Sequence, residues 1–126
     1  MRGMAMIGAA ALLAGCAGAV PTSVDGGWGA PSFAALQQMC GAQTVDYGND
    51  AQAVYSAVFD AWVAQRHGKL PQTQFCGFQA ALAKQYAEFG QSSDPAARNQ
   101  WVSFLNDQRA NALSWRAAVD STLRAG

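Results

Sequence analysis

The chain has 126 residues with eight Lys and Arg, eight Asp and Glu and one His, so its formal net charge at pH 7 is zero. This balance argues against nucleic-acid binding, which needs a clustered positive field, and against adhesion to lipid head groups by charge alone. Charged residues make up only 13% of the chain, with Ala and Gln abundant in their place, and the length is that of one small domain.

The first 15 residues are typical of a secretory signal peptide. Arg2 supplies one positive charge, and residues 3–15 are uncharged and mostly apolar. This run is too short for a membrane-crossing helix, which needs ~20 residues, but it fits the apolar core of a signal. Loss of residues 1–15 would leave seven Lys and Arg against eight Asp and Glu in the mature chain.

The residues that end this run are Leu13-Ala14-Gly15-Cys16, an aliphatic residue, two small residues and a cysteine. This motif resembles the lipobox of bacterial lipoproteins. The resemblance implies that the thiol of Cys16 receives a diacylglyceryl group, that a signal peptidase cleaves before it, and that the new amine is acylated. The alternative is ordinary secretion with cleavage near Ala17-Gly18-Ala19.

The residue after the cysteine bears on the destination of the chain. In enteric lipoproteins an Asp at that position retains the protein in the inner membrane, and Ala17 departs from that signal. The resemblance therefore implies an outer-membrane lipoprotein that faces the periplasm. Because each buried CH₂ contributes ~0.8 kcal/mol, two or three acyl chains on Cys16 would hold it there essentially permanently.

Residues 16–30 are predicted to form the lipidated N-terminus and a flexible tether, because the segment contains Gly, Pro, Ser and Thr and its apolar residues show no periodicity. Trp28 within this segment would contact the bilayer interface or fold back onto the domain, and we favour the second interpretation. The surrounding glycines, residues 26, 27 and 29, do not form a phosphate-binding loop, since no Lys-Ser/Thr pair follows them.

The first predicted helix opens at Pro31-Ser32 and runs to Cys40, with Gly41 as its C-terminal stop. The second begins near Asn49, an N-cap type of residue, and ends at Gly68. Their apolar positions follow the helical period. These are Phe33, Leu36 and Met39 or Cys40 in the first helix, and Ala51, Val54, Tyr55, Val58 and Trp62 in the second.

The third predicted helix starts between Pro71 and Thr73 and closes at Gly90. The fourth has Asp94 as N-cap and Pro95 at the first helical position, where its missing N–H is harmless. Both helices carry apolar stripes with steps of three and four residues. The stripes are Phe75, Phe78, Leu82, Tyr86 and Phe89, and then Trp101, Leu105, Gln108, Ala112, Trp115, Val119 and Leu123.

Short loops between consecutive helices favour antiparallel packing of those helices. Residues 31–126 are therefore predicted to form an all-α domain, a small antiparallel three- or four-helix bundle. The aromatic stripes are predicted to be its core rather than a ligand pocket, because their spacing is helical. On the outer face of the fourth helix, Asp120 is predicted to pair with Arg116 and Arg124, four residues away on either side.

Once Cys16 is assigned to lipid, Cys40 and Cys76 remain as an even pair in an exported domain. The envelope outside the inner membrane is oxidising, so a disulfide between them is predicted. A redox pair is disfavoured because no C-x-x-C spacing is present. Two thiols and the single His67 lack a fourth ligand and any motif spacing, so no metal site is predicted.

The sequence offers little catalytic chemistry, and no catalytic residue or cofactor is predicted. His67 falls at a predicted helix end, where a cation complements the helix dipole. Asp46 and Asp50 are four residues apart in a predicted loop, and Glu88 is isolated. No Ser has the context of a nucleophile elbow.

The expected function is that of a non-enzymatic envelope lipoprotein, a protein-binding or structural accessory whose partners are the membrane, through its lipid anchor, and an envelope protein. The layout is similar to that of the α-helical pilotins of type II secretion, small outer-membrane lipoproteins that bind the secretin tail, with a cysteine after a short first helix (Leu36 to Cys40).

The alternatives are a periplasm-facing enzyme or enzyme inhibitor, and a small-molecule carrier. An enzyme predicts clustered polar groups in a cleft, a binding module an exposed apolar groove, and a carrier a closed apolar cavity.

Overall fold

The computed structural model describes residues 30–120, which form four α-helices and two short helical segments. No strand occurs in that range. The predicted all-α fold with one disulfide is confirmed. In chain order the elements are α1 (Phe33–Gln38), a 3₁₀ turn (Gly48–Asp50), α2 (Ala51–Arg66), α3 (Gln72–Gln85), a π-helical segment (Tyr86–Gly90) and α4 (Pro95–Ala117).

Helix α2 lies at the centre of the bundle and contacts each of the other three helices. Its most extensive contact is with α4, and the two helices run in the same direction. Asp50, just before α2, bonds to Trp101 early in α4, whereas Asp60, further along α2, bonds to Arg116 late in α4.

Helix α3 runs antiparallel to α4, as the short loops predict. Phe78 near the middle of α3 packs on Trp115 late in α4, while Tyr86 after the end of α3 packs on Trp101 early in α4. The short α1 lies against α3, where the Leu36 carbonyl accepts a hydrogen bond from Gln79.

The predicted ends of α1 and α2 are correct to within two residues. The Ser32 hydroxyl caps α1 by accepting from the Ala35 N–H at 3.1 Å. The helix ends at Gln38, two residues before the predicted end. The two predicted stops, Gly41 and Gly68, have φ of +71° and +80°, the left-handed conformation that lets a chain leave a helix.

The predicted start of the second helix near Asn49 is two residues early. Asn49 lies inside the 3₁₀ turn, and α2 begins at Ala51. The residue before it, Asp50, makes no side-chain cap bond to the helix. Its carboxylate instead bonds to α4, so a tertiary contact takes the place of a local cap.

The third helix was expected to continue as a regular helix to Phe89, and this is wrong. The α-helix ends at Gln85 and widens into the π-helical segment. The wider turn brings the Tyr86 ring over Gly90, so closely that a Cβ on Gly90 would lie 2.3 Å from the Tyr86 Cδ1. Gly90 therefore ends this segment because it leaves room for the ring.

Helix α4 begins as predicted, with Pro95 at its first turn and Asp94 at the N-cap position, although the Asp94 side chain makes no cap bond. The helix ends at Ala117, so Val119 lies beyond it. Leu123 and Arg124 lie outside the described residues.

Arg116 does bond to Asp120, with 3.4 Å between Nε and Oδ2. It also bonds to Asp60 of α2, with 2.8 Å between Nη1 and Oδ1. The predicted pair with Asp120 is therefore confirmed, but Arg116 does not lie on the outer face alone, because it also bridges α4 and α2.

The aromatic stripes form the core, as predicted. Tyr47, which belonged to no predicted stripe, joins Phe33, Tyr86 and Trp101 in a continuous set of ring contacts with centroid separations of 5.0 to 6.2 Å. Such pairs contribute about 0.5–1.5 kcal/mol beyond the burial of their area. The largest fully buried side chains are Trp101, Phe75, Leu36, Leu82, Val54 and Val58.

Cys40 and Cys76 form the predicted disulfide, with their Cα atoms 5.5 Å apart. It joins the residues just after α1 to the first half of α3. The two half-cystines are 36 residues apart in sequence. The loop that the bond closes therefore contains all of α2.

We expect the double variant Cys40→Ala/Cys76→Ala to lose about 3–4 kcal/mol of unfolding free energy, because its unfolded chain regains the conformational entropy that the closed loop removes. Urea denaturation of the variant and the parent measures the difference. The single variant Cys40→Ala should lose a similar amount, since either change opens the loop. A loss below about 1 kcal/mol would show that other contacts hold the first helix without the bond.

Candidate functional site

The sequence-predicted residues are distributed unevenly over the structure. Cys16, Trp28 and the rest of the predicted tether up to residue 29 lie outside the described residues. His67 is exposed and occupies the C-cap position of α2, in agreement with its predicted place at a helix end. Glu88 is exposed in the π-helical segment.

The carboxylate of Asp50 is the centre of the most connected polar cluster. Its Oδ2 accepts a hydrogen bond from the buried Trp101 Nε1 at 3.0 Å and pairs with Arg98 Nη1 at 3.3 Å. The same Arg98 nitrogen also donates to the Gly90 carbonyl. The cluster thus joins the start of α2, the start of α4 and the end of the π-helical segment.

Two tyrosines pack beside this cluster with their rings 5.0 Å apart. Burial raises the pKa of Tyr47 to about 12, with a smaller contribution from Tyr86. The pKa of Tyr86 is also raised, by burial first and then by the negative charges of Asp50 and Asp46. Both phenols are therefore neutral at physiological pH and serve as packing groups.

Asp46 and Asp50, the two carboxylates that the sequence placed four residues apart, do not act as a pair. The Asp46 side chain accepts from the Gly48 N–H at 2.9 Å and so closes a local turn. Asp50 is engaged with α4. Among residues 30–120 no three His, Cys, Asp or Glu side chains converge as metal ligands.

A first surface groove, here named the helical groove, lies between α2 and α4 and has a volume of about 350 Å³. Leu113 on its rim is 48% exposed, the largest exposure of any large apolar side chain in the described residues. The lining residues are Ser56, Ala57, Asp60, Asn106, Arg109, Ala110 and Leu113. Four of these seven residues are polar or charged, and the other three are two alanines and a leucine.

A second groove, here named the disulfide groove, lies between α3 and the loop after α1 and has a volume of about 360 Å³. Its lining is mainly apolar, and the Cys40–Cys76 disulfide forms part of it. The other lining residues are Gln37 of α1, Ala42, Gln43 and Val45 of the loop, and Gly77, Gln79, Ala80 and Ala83 of α3.

Gln37 and Gln79 were not singled out from the sequence, yet they are the buried polar side chains of the described residues. A signal was present, because both occupy core-facing positions of an apolar stripe. Gln37 follows Leu36, and Gln79 lies between Phe78 and Leu82. A glutamine in such a position has to find hydrogen-bond partners inside the protein.

Comparison with known proteins gives no relative: no family model, no curated protein and no solved structure matches this chain. Within residues 30–120, no helix has both the length and the apolar character needed to cross a bilayer.

We expect Asp50→Ala to reduce the free energy of unfolding by about 2 kcal/mol, because it removes a charge-assisted bond and leaves the buried Trp101 N–H without a partner. Urea denaturation measures the loss. Asp46→Ala is the matched control, since it removes an exposed carboxylate from the same loop and should cost less than about 1 kcal/mol. Equal losses in the two variants would contradict the central role of Asp50.

Proposed function

We propose that this chain is a lipid-anchored protein of the cell envelope, and that its helical domain binds another protein. The anchor is supported by the resemblance of Leu13-Ala14-Gly15-Cys16 to a lipobox at the end of an apolar run. Ala17 supports the outer membrane as the destination. In this proposal the domain lies at the periplasmic face of that membrane.

The Cys40–Cys76 disulfide supports an oxidising compartment. Disulfides persist in exported proteins and are rare in the reducing cytosol. The bond lies within the domain and joins the residues after α1 to α3, so its role is structural. An exported, disulfide-bonded domain is what the signal peptide and lipobox lead one to expect.

The observation that carries the binding role is the disulfide groove. It is open to solvent and lined mainly by small apolar side chains, among them Ala80 and Ala83. Such a lining suits a polypeptide better than a small polar substrate. The charged residues Asp50 and Arg116 are engaged in bonds between helices, which supports binding rather than catalysis.

The anchor is tested by Cys16→Ser in the full chain. We expect the parent protein in the membrane fraction, with acyl chains detected by mass analysis, and the variant in the soluble fraction, because the thioether needs the thiol. Ser23→Ala, a conservative change in the same predicted tether, is the control and should remain in the membrane fraction. An unacylated parent, or a Cys16→Ser variant that stays in the membrane, would overturn the anchor.

The binding role is tested by photo-crosslinking in cells with p-benzoylphenylalanine at three exposed positions of the full chain. Ala80 reports on the disulfide groove, Leu113 reports on the helical groove, and Asn99 belongs to neither lining. We expect a discrete product with an envelope protein at position 80, because a bound partner excludes water there, and none at position 99. The absence of a discrete product at both 80 and 113 would overturn the binding role.

A further inference from the structure

The two buried glutamines of the disulfide groove each use only one end of the side-chain amide. Gln37 and Gln79 are 7% and 8% exposed. The Gln37 Oε1 accepts from the Val45 N–H at 2.7 Å. The Gln79 Nε2 donates to the Leu36 carbonyl at 2.9 Å and contacts the Cys40 sulfur at 3.5 Å. These bonds fix the orientation of each side-chain amide.

The opposite ends, Gln37 Nε2 and Gln79 Oε1, make no hydrogen bond with any residue from 30 to 120. No fully buried side-chain nitrogen or oxygen in that range lacks a partner. Both free ends therefore retain accessible surface, and both residues line the disulfide groove. The groove thus contains one unused donor and one unused acceptor, each held by an otherwise buried side chain.

The loop on one side of the groove also has unused backbone groups. Residues 42–44 are neither helical nor in a turn, and they are exposed. Their backbone N–H and C=O groups make no hydrogen bond within the described part of the chain. An open stretch of backbone beside an apolar groove offers a template for pairing with a second extended chain.

Gly77 is the third unusual residue of the groove. It lies inside α3, where glycine is less favourable than alanine, and it has no positive φ that would require glycine. An added Cβ would meet nothing within 4 Å. The packing of the domain therefore does not explain this glycine, whereas a Cβ there would stand in the groove.

We propose that the disulfide groove binds an extended segment of a partner polypeptide, whose backbone C=O and N–H pair with Gln37 Nε2 and Gln79 Oε1. An extended residue presents its N–H and C=O at the same strand edge, whereas helical residues bond theirs internally. The small lining at Gly77, Ala80 and Ala83 admits the backbone of the segment closely. This inference rests on the proposed function and names the chemistry of its partner.

The probe is a capped tetra-alanine peptide, too short to form a stable helix, titrated into the ¹⁵N-labelled full chain and followed by NMR. We expect saturable shifts of the Gln37 side-chain NH₂ and of the Gly77 and Val45 N–H signals. The matched peptide with N-methylated backbone nitrogens loses its donors and should not produce them. No saturable shift with the first peptide, or equal shifts with both, overturns the proposal.

Gly77→Ala separates binding from stability. It should raise the midpoint of thermal unfolding, because alanine favours the helix. It should also weaken peptide binding by roughly fivefold or more, since the Cβ occupies the groove. Ser103→Ala on the exposed face of α4 is the control and should raise the midpoint without changing binding. A Gly77→Ala variant that binds as tightly as the parent contradicts the site.

The in-cell crosslinks distinguish failure of this inference from failure of the proposed function. A product at position 113 without one at position 80 overturns the peptide site but leaves a protein-binding lipoprotein. No product at either position overturns both. A product at position 80 that is lost in Gly77→Phe and kept in Ser103→Ala supports the site in the envelope, where the full chain meets its own partner.

Discussion

The disulfide between Cys40 and Cys76 is the constraint on which the first third of the described domain depends. Helix α1 has six residues, far fewer than an isolated helix needs in water. The bond fixes the chain just after α1 against α3, and a hydrogen bond from Tyr55 to the Pro31 carbonyl fixes the chain just before it. With both ends held, α1 can bury Phe33 and Leu36, and the loop that follows becomes one side of a groove.

The remaining architecture depends on how two helices that run in the same direction are joined. Asp50 lies where the N-terminal ends of α2 and α4 meet, and a negative charge is favourable near such ends. Arg116 lies in the last turn of α4, where a positive charge is favourable, and it reaches Asp60 of α2. The two bridges therefore suit both the pairing and the dipoles of the parallel helices.

The features that the sequence predicts correctly are those set by neighbouring residues. The helical periods, the stops at Gly41 and Gly68 and the start at Pro95 all depend on residues within a few positions. The disulfide followed from counting the cysteines of a chain that was predicted to be exported. The role of Asp50 was not predictable, because its partners Arg98 and Trp101 lie 48 and 51 residues away. The local pattern indicated only a loop carboxylate, and no short-range rule selects its partner.

The disulfide groove illustrates a different limit. Three of its residues can be recognised in the sequence, because a different residue at each position would be more stabilising. Leucine at positions 37 and 79 would continue the apolar stripes without the cost of desolvating an amide. Alanine at position 77 would favour the helix. The structure explains Gly90 by the ring of Tyr86, but it offers no comparable contact at Gly77. Because all three departures line one groove beside the disulfide, we attribute their local cost to the peptide binding proposed above rather than to the folding of the domain.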